Sequence, residues 1–389
     1  MAFSLANDYS EGAHPQILHT ISAINSEQFP GYGTDRRCAQ AADKIRSIAR
    51  APEAAVFFLT GGTQTNRTVI SALLRPHEGV ISAATGHIAV HEAGAIENSG
   101  HKVLSIPATE EAAGKLSASA LRTYLEDFYA DANHEHMVAP GMVYISHPTE
   151  YGMLYSLSEL EELHEAAREF SLPLYCDGAR LAYGLAAADT DVQLADIARL
   201  CDVFYIGGTK CGALFGEAVV FSGMPAPAHF ITHIKLNGAL LAKGWLLGAQ
   251  FAELFSQSAP DAIGHMPHDG TLSSELSNST RENAPSSSPC VIGSTLYGQL
   301  GHHANELAGM IRAALRTHGY HERYPNSTNQ VFFELSDEQF ARLSRHVTLS
   351  FWERISADHV LVRACTSWAT PSERVAQFCD LLARFAPNR

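Results

Sequence analysis

A largely parallel β-sheet with helices on both faces is predicted by three features of the sequence. Short β-rich runs alternate with helical patterns from about residue 54 to 221. The stretches between them carry apolar residues at three- and four-residue intervals, the mark of helices packed on a sheet. The chain has 389 residues, 46% hydrophobic and 17% charged, enough to bury a sizeable core.

The β-rich runs are AAVFFL (54–59), GVISA (79–83), HKVLSI (101–106), MVYIS (142–146), LPLYCD (172–177), DVFYIG (202–207) and EAVVF (217–221). Between the fourth and fifth runs lies LSELEELHEAAREF (157–170), whose apolar period starts behind a Ser that can cap it. Such alternation requires crossover helices, and crossovers produce parallel strands buried on both faces. Residues 256–290 are rich in Ser, Pro, Gly and Asn without any period and read as a long loop. A helical stretch at 296–317 follows, then a strand at 330–335, a helix from 337 and a strand at 359–365. The chain thus divides into an N-terminal segment (1–45), a large domain (46–255), a Ser-rich insertion (256–290) and a small α+β C-terminal domain (291–389).

A formal charge of −14 without any basic run argues against nucleic acid as a partner. The first residues, MAFSLANDYSEGAHP, lack the basic start and apolar stretch of a secretory signal, and no run of about 18 apolar residues suggests a membrane span. Seven scattered cysteines without CxxC spacing fit free thiols in a reducing compartment, so a cytoplasmic protein without a metal site is expected.

The chemistry concentrates in two turns. DGARLAYG places Asp177 and Arg180 just after the run LPLYC, and DVFYIG ends in Gly207-Gly208-Thr209-Lys210. Ligands of open α/β sheets bind at the carboxyl ends of the strands, where both turns fall. A lysine amine can hold an aldehyde cofactor as a Schiff base, and a carboxylate can keep a pyridine nitrogen protonated so that the ring becomes an electron sink. Lys210 and Asp177 are the residues for those roles. A single Asp or Lys in such a turn more often caps a helix or sits in solvent; the pair at successive strand ends is what points to a cofactor.

A third turn, Gly61-Gly62-Thr63-Gln64-Thr65-Asn66, runs from a strand into an apolar helix. Free N–H groups and the helix dipole make such a terminus a phosphate site, with Gly62, Thr63 and Gln64 as donors. The turn is weak evidence alone and is not a P-loop, because GxxxxGK[ST] is absent. Two histidines follow strands: His87, which would stack on a cofactor ring, and His147, which would act on the substrate. With 20 histidines in the chain, position after a strand is what singles these out.

These segments resemble the threonine aldolase and β-eliminating lyase family of fold-type I pyridoxal-phosphate enzymes. The resemblance runs in order through GYGTD (31–35), FFLTGGTQTN (57–66), GHIAVHEAGA (86–95), HPTEYGMLYSLSEL (147–160), DGARL (177–181), GGTKCG (207–212), IKLNGALLAKG (234–244) and VLVRACTSWAT (360–370). It implies an aspartate-aminotransferase-like fold and pyridoxal 5'-phosphate on Lys210. Asp177 would meet the ring nitrogen, His87 the ring face, and Gly62 and Thr63 the phosphate. It further implies Arg180 and Arg363 at the substrate carboxylate and His147 near the β-hydroxyl. Tyr32 and Asp35 fall in a segment that reaches the neighbouring subunit in dimers of the family, so a homodimer or homotetramer is expected.

Some positions depart from the family pattern. Thr209 replaces a Ser before the lysine and keeps a hydroxyl for the phosphate. Asn7 stands where a Ser helps hold the carboxylate, and Leu241 replaces an Arg, with Lys243 two residues on. The expected activity is cleavage of an L-β-hydroxy-α-amino acid of the threonine or allo-threonine class to glycine and an aldehyde. His147 or His87 would take the hydroxyl proton. Alternatives are β-elimination, racemisation or transamination on the same scaffold, or a non-catalytic interaction protein whose surface is the loop at 256–290.

Overall fold

A computed structural model describes residues 3–107, 112–257 and 291–387. Its centre is a seven-stranded sheet of β2 (Ala55–Leu59), β3 (Glu78–Ala83), β4 (Val103–Ile106), β5 (Ala139–Ser146), β6 (Leu174–Asp177), β7 (Val203–Gly207) and β8 (Glu217–Phe221), in the order β2-β8-β7-β6-β5-β3-β4. Each of the seven β-rich runs forms one of these strands. All ladders are parallel except those of β8, which pairs antiparallel with both β2 and β7. Only the nine residues from 208 to 216 separate β7 from β8, too few for a crossover, so the chain folds straight back.

The sheet is buried on both faces, which is why its strands read as nearly unbroken apolar runs. Along β5, Val143 and Ile145 join the core on one face, while Met142 and Tyr144 join the core on the other. Each such side chain contributes about 1.5–3 kcal/mol by leaving water. Helix α2 (Arg36–Ala49), capped by Asp35 through the N–H groups of Arg37 and Cys38, packs with Trp245–Leu254 on one face. The helix Leu157–Glu169 starts in a capping box of Ser156 and Glu159.

A second layer comprises β9 (Gln330–Ser336), β11 (Ser350–Arg354) and β12 (His359–Cys365) in an antiparallel sheet, order β11-β12-β9. The N-terminal strand β1 (Phe3–Ser4) pairs in parallel with β10 (Val347–Thr348), and Leu5 enters the same apolar core as Leu307, Phe333 and Phe378. The chain start is thereby tied to the C-terminal part. The Ser-rich insertion read at 256–290 lies outside the described residues from 258 onward. Among the described residues no helix is long and apolar enough to cross a membrane, and no His, Cys, Asp and Glu group could hold a metal ion.

Candidate active site

The carboxyl ends of β2, β3, β5, β6 and β7 and the start of β8 converge on a cleft of about 310 Å³. Its lining includes Gly62, Thr63, His87, Glu150, Asp177, Arg180, Thr209, Lys210 and Glu217. The turns singled out in the sequence thus open into one space.

Lys210 leaves the end of β7 with its side chain partly buried. Burial, then the Arg180 guanidinium, pushes its amine below the ordinary lysine value, which raises the neutral, nucleophilic fraction. The register that pairs Gly207 with Glu217 sets a carboxylate beside this turn. Glu217 accepts from the Gly208 N–H (3.1 Å) and the Thr209 hydroxyl (2.8 Å), and burial pushes its carboxyl up to about 8. The Thr209 hydroxyl also accepts from the Gly216 N–H at 3.0 Å. Both contacts lie inside the turn that carries Lys210, and Thr209 itself lines the cleft.

Asp177 is buried and accepts four hydrogen bonds: from Tyr205 Oη (2.5 Å), the Ala179 N–H (3.0 Å), Tyr144 Oη (2.7 Å) and Asn66 Nδ2 (2.9 Å). Burial alone would raise its carboxyl, but His87 and these donors outweigh it and hold the group below the usual carboxylate value. Asn66 extends the network, since Nδ2 also reaches Glu92 (2.7 Å) and Oδ1 accepts from Tyr175 Oη (2.7 Å).

Helix α3 (Gly62–Leu73) starts at the cleft without a side-chain cap. The first N–H bonded in the helix is that of Thr65, to the Gly61 carbonyl, which leaves those of Gly62, Thr63 and Gln64 for an anion. A side chain at 62 would meet the Tyr205 hydroxyl, 3.1 Å from its Cβ, so glycine keeps the turn close to the Asp177 network. The Gln64 side chain instead donates to the Asn237 carbonyl at 2.8 Å.

The two histidines part company. His87 opens the short helix α4 (His87–Val90), lines the cleft and bonds Glu92 Oε1 through Nδ1 at 2.7 Å. Burial opposes its charge, but the Glu92 bond and Asp177 raise its imidazole above the ordinary value. His147 is fully buried on the opposite side of the chain from the cleft lining formed by Ser146, Pro148, Thr149 and Glu150. Its Nδ1 accepts from the Tyr155 N–H at 3.4 Å, and burial lowers it to about 4. The expectation that His147 reaches a substrate hydroxyl does not fit this position. Ser146 faces the cleft at the end of β5, and the next residue of an extended chain points the other way.

Arg180 lines the cleft with its guanidinium held by fully buried Asp8, Nε to Oδ2 at 2.7 Å and Nη2 to Oδ1 at 3.0 Å. Asp8 also accepts from Asn329 (3.0 Å); burial would raise it, but Arg180, Lys210 and Arg363 hold it well below the usual range. Arg363 donates to Gln330 Oε1 (2.9 Å) and the Ala6 carbonyl (3.0 Å) and lies over the Trp352 ring. It is not among the residues that line the cleft and has a buried Nε without a hydrogen-bond partner. Asn7 turns its Oδ1 back to the Tyr9 N–H and Ser10 hydroxyl, so Tyr9 rather than Asn7 lines the cleft. Tyr32 is half exposed, under Lys235, on left-handed backbone with φ 62° and outside this cleft; Asp35 is the buried cap of α2.

The model of the β-eliminating lyase family matches residues 14–335. The chain belongs to this family. It is a lyase, and members of the family and of the aminotransferase-like fold use pyridoxal phosphate. A threonine aldolase from Leishmania major is 38% identical, with a TM-score of 0.85 over 98% of this chain and 99% of that one. A low specificity L-threonine aldolase from Pseudomonas sp. (strain NCIMB 10558) is 30% identical over 65% of this chain and 72% of that protein. An aspartate aminotransferase variant from Thermus thermophilus shares the fold, with a TM-score of 0.66 at 14% identity over 99% of this chain and 91% of that one.

In this lyase the sequence reading missed Asp8, Asn66, Glu92, Glu150 and Glu217. Asn66 lies in the polar stretch TQTNRT, and its burial shows only in the fold. Glu150 stands in the turn PTEY, directly after a strand whose carboxyl end was already of interest. Asp8 and Glu217 gave none, because their partners lie in distant segments.

Proposed function

We propose that this lyase binds pyridoxal phosphate at Lys210 and cleaves an L-β-hydroxy-α-amino acid of the threonine class to glycine and an aldehyde. The observation that carries the reading is the meeting of Lys210, Asp177 and the open N-terminus of α3 in one cleft. The donor set fits the cofactor. The unpaired N–H groups of Gly62, Thr63 and Gln64 suit a phosphate, the anionic Asp177 suits a pyridinium N–H, and the amine of Lys210 suits an aldehyde. When bound, the cofactor supplies an electron sink for the pair left at Cα.

The residues of the chain do the rest. Arg180, oriented by Asp8, would hold the substrate carboxylate together with Arg363 through charge-assisted bonds. His87, fixed by Glu92, would close one face of the ring. Similarity to threonine aldolases at 30–38% identity, against 14% for aminotransferases, favours carbon–carbon cleavage over transamination. The family description favours β-elimination as the second reading. Tyr32, exposed and outside this chain's cleft, would complete the neighbouring site in a homodimer or homotetramer.

The test is the purified protein loaded with pyridoxal phosphate and given L-threonine, L-phenylserine or L-serine. The reading expects a visible absorbance band and release of acetaldehyde or benzaldehyde together with glycine. Pyruvate from L-serine without aldehyde from the other two would replace cleavage by elimination.

A further inference from the structure

We propose that Glu150 is the residue that receives the β-hydroxyl proton during cleavage and returns it during condensation. This rests on the aldolase reading above. With His147 outside the cleft lining another group must receive that proton, and the other acid–base groups of the lining have roles in the reading above. Asp177 is assigned to the ring nitrogen, Glu217 holds the turn before Lys210, and His87, fixed by Glu92 through Nδ1, is assigned to the face of the ring.

Glu150 differs from these. It lines the cleft, and two donors fix its carboxylate on one oxygen: Ser146 Oγ at 2.7 Å and the His87 N–H at 2.8 Å, both to Oε1. Those bonds leave Oε2 for a substrate hydroxyl. The loop after β5 and the start of α4 thus position one carboxylate from two directions. Burial raises this carboxyl above its ordinary value.

Ser146 is suited to follow the change. Its hydroxyl has one proton and two oxygens in reach, Glu150 Oε1 at 2.7 Å and Tyr144 Oη at 3.1 Å. It donates to Glu150 when the carboxylate is charged and can turn to Tyr144 when Glu150 becomes neutral. Tyr144 in turn donates to Asp177 at 2.7 Å. In the step itself, the O–H bond of the β-hydroxyl breaks and the proton bonds to Glu150. The oxygen's electron pair forms the second bond of the aldehyde carbonyl, and the Cα–Cβ pair remains on Cα.

The experiment uses the holoenzyme and Glu150→Gln, which keeps the shape and an acceptor oxygen but takes up no proton. Cleavage of L-phenylserine and exchange of the α-hydrogen of glycine in deuterium oxide, followed by NMR, are measured on the same preparations. Glycine has no β-hydroxyl, so exchange bypasses the proposed step. Pyridoxal phosphate affinity of the apoprotein, read from tryptophan fluorescence, checks the fold of the cleft. The expected result is a loss of about 100-fold or more in cleavage, exchange within about threefold of wild type, and unchanged cofactor affinity. Cleavage within threefold of wild type would overturn the proposal, as would equal losses of cleavage and exchange, which mark a purely structural role. A wild-type enzyme that exchanges glycine but cleaves no β-hydroxy amino acid would instead overturn the aldolase reading and this role with it.

Discussion

The loops that follow β3 and β5 leave the sheet at the same edge, and each was expected to bring a histidine into the cleft. After β3 the chain turns into α4 and presents His87, locked by Glu92. After β5 the ladder runs one step further, with the His147 N–H donating to the Asp177 carbonyl at 2.9 Å, so His147 keeps the strand's alternation and turns into the core. From Pro148 to Glu150 the chain lines the cleft again. Residue type after a strand does not decide what reaches a ligand; the parity of the strand and the point where it ends do.

The sharpest way to probe this comparison starts from the residue both loops serve. Lys210→Ala is expected to abolish the visible band of the bound cofactor and lower cleavage by more than about 10⁴-fold, since the amine that would hold the cofactor is lost. A normal band in that variant would remove Lys210 from the site. Asp177→Asn should retain some cofactor but lower cleavage about 10²- to 10³-fold, as the loss of one electrostatic stabiliser does; steady-state kinetics read it.

On the β3 side, Glu92→Gln keeps a hydrogen bond to Asn66 or His87 but not the carboxylate. A loss of about tenfold in kcat is expected, in line with outer-shell partners that orient a functional histidine. On the β5 side, His147→Gln should change kcat less than about threefold. A hundredfold loss there would erase the distinction between the two loops.

His147 should instead show itself in stability. Its folded value of about 4 lies below the ordinary 6.5, so the folded state binds fewer protons than the unfolded chain between these limits. Its contribution is complete above pH 6.5 and is lost as pH falls to 4, amounting to roughly 3 kcal/mol. Urea midpoints at pH 7 and pH 5 should therefore differ less in His147→Gln than in wild type, and equal differences would contradict the burial.

Most of the fold was legible because both faces of the sheet are buried, which leaves apolar runs with helical stretches between them. The reversed direction of β8 was not stated by its composition, since EAVVF packs equally well in either direction; the short connection from β7 decides it. In the site, residues on turns directly after strands were legible: Gly62, Thr63, His87, Asp177, Arg180 and Lys210 all line the cleft. The partners that set their charge were not. Asp8 lies 172 residues from Arg180, and Glu92, Asn66 and Asp177 meet only because the fold brings the segments that follow β3 and β2 to the carboxyl end of β6. Pairing at such separation is a property of the topology, and one sequence carries no local pattern for it.

The most direct test of the central claim is borohydride reduction of the holoprotein followed by peptide mass spectrometry. Reduction fixes the cofactor to the amine that carries it. The account predicts a pyridoxyl group on the peptide containing Lys210; the group on any other lysine, or on none after loading with pyridoxal phosphate, would contradict it.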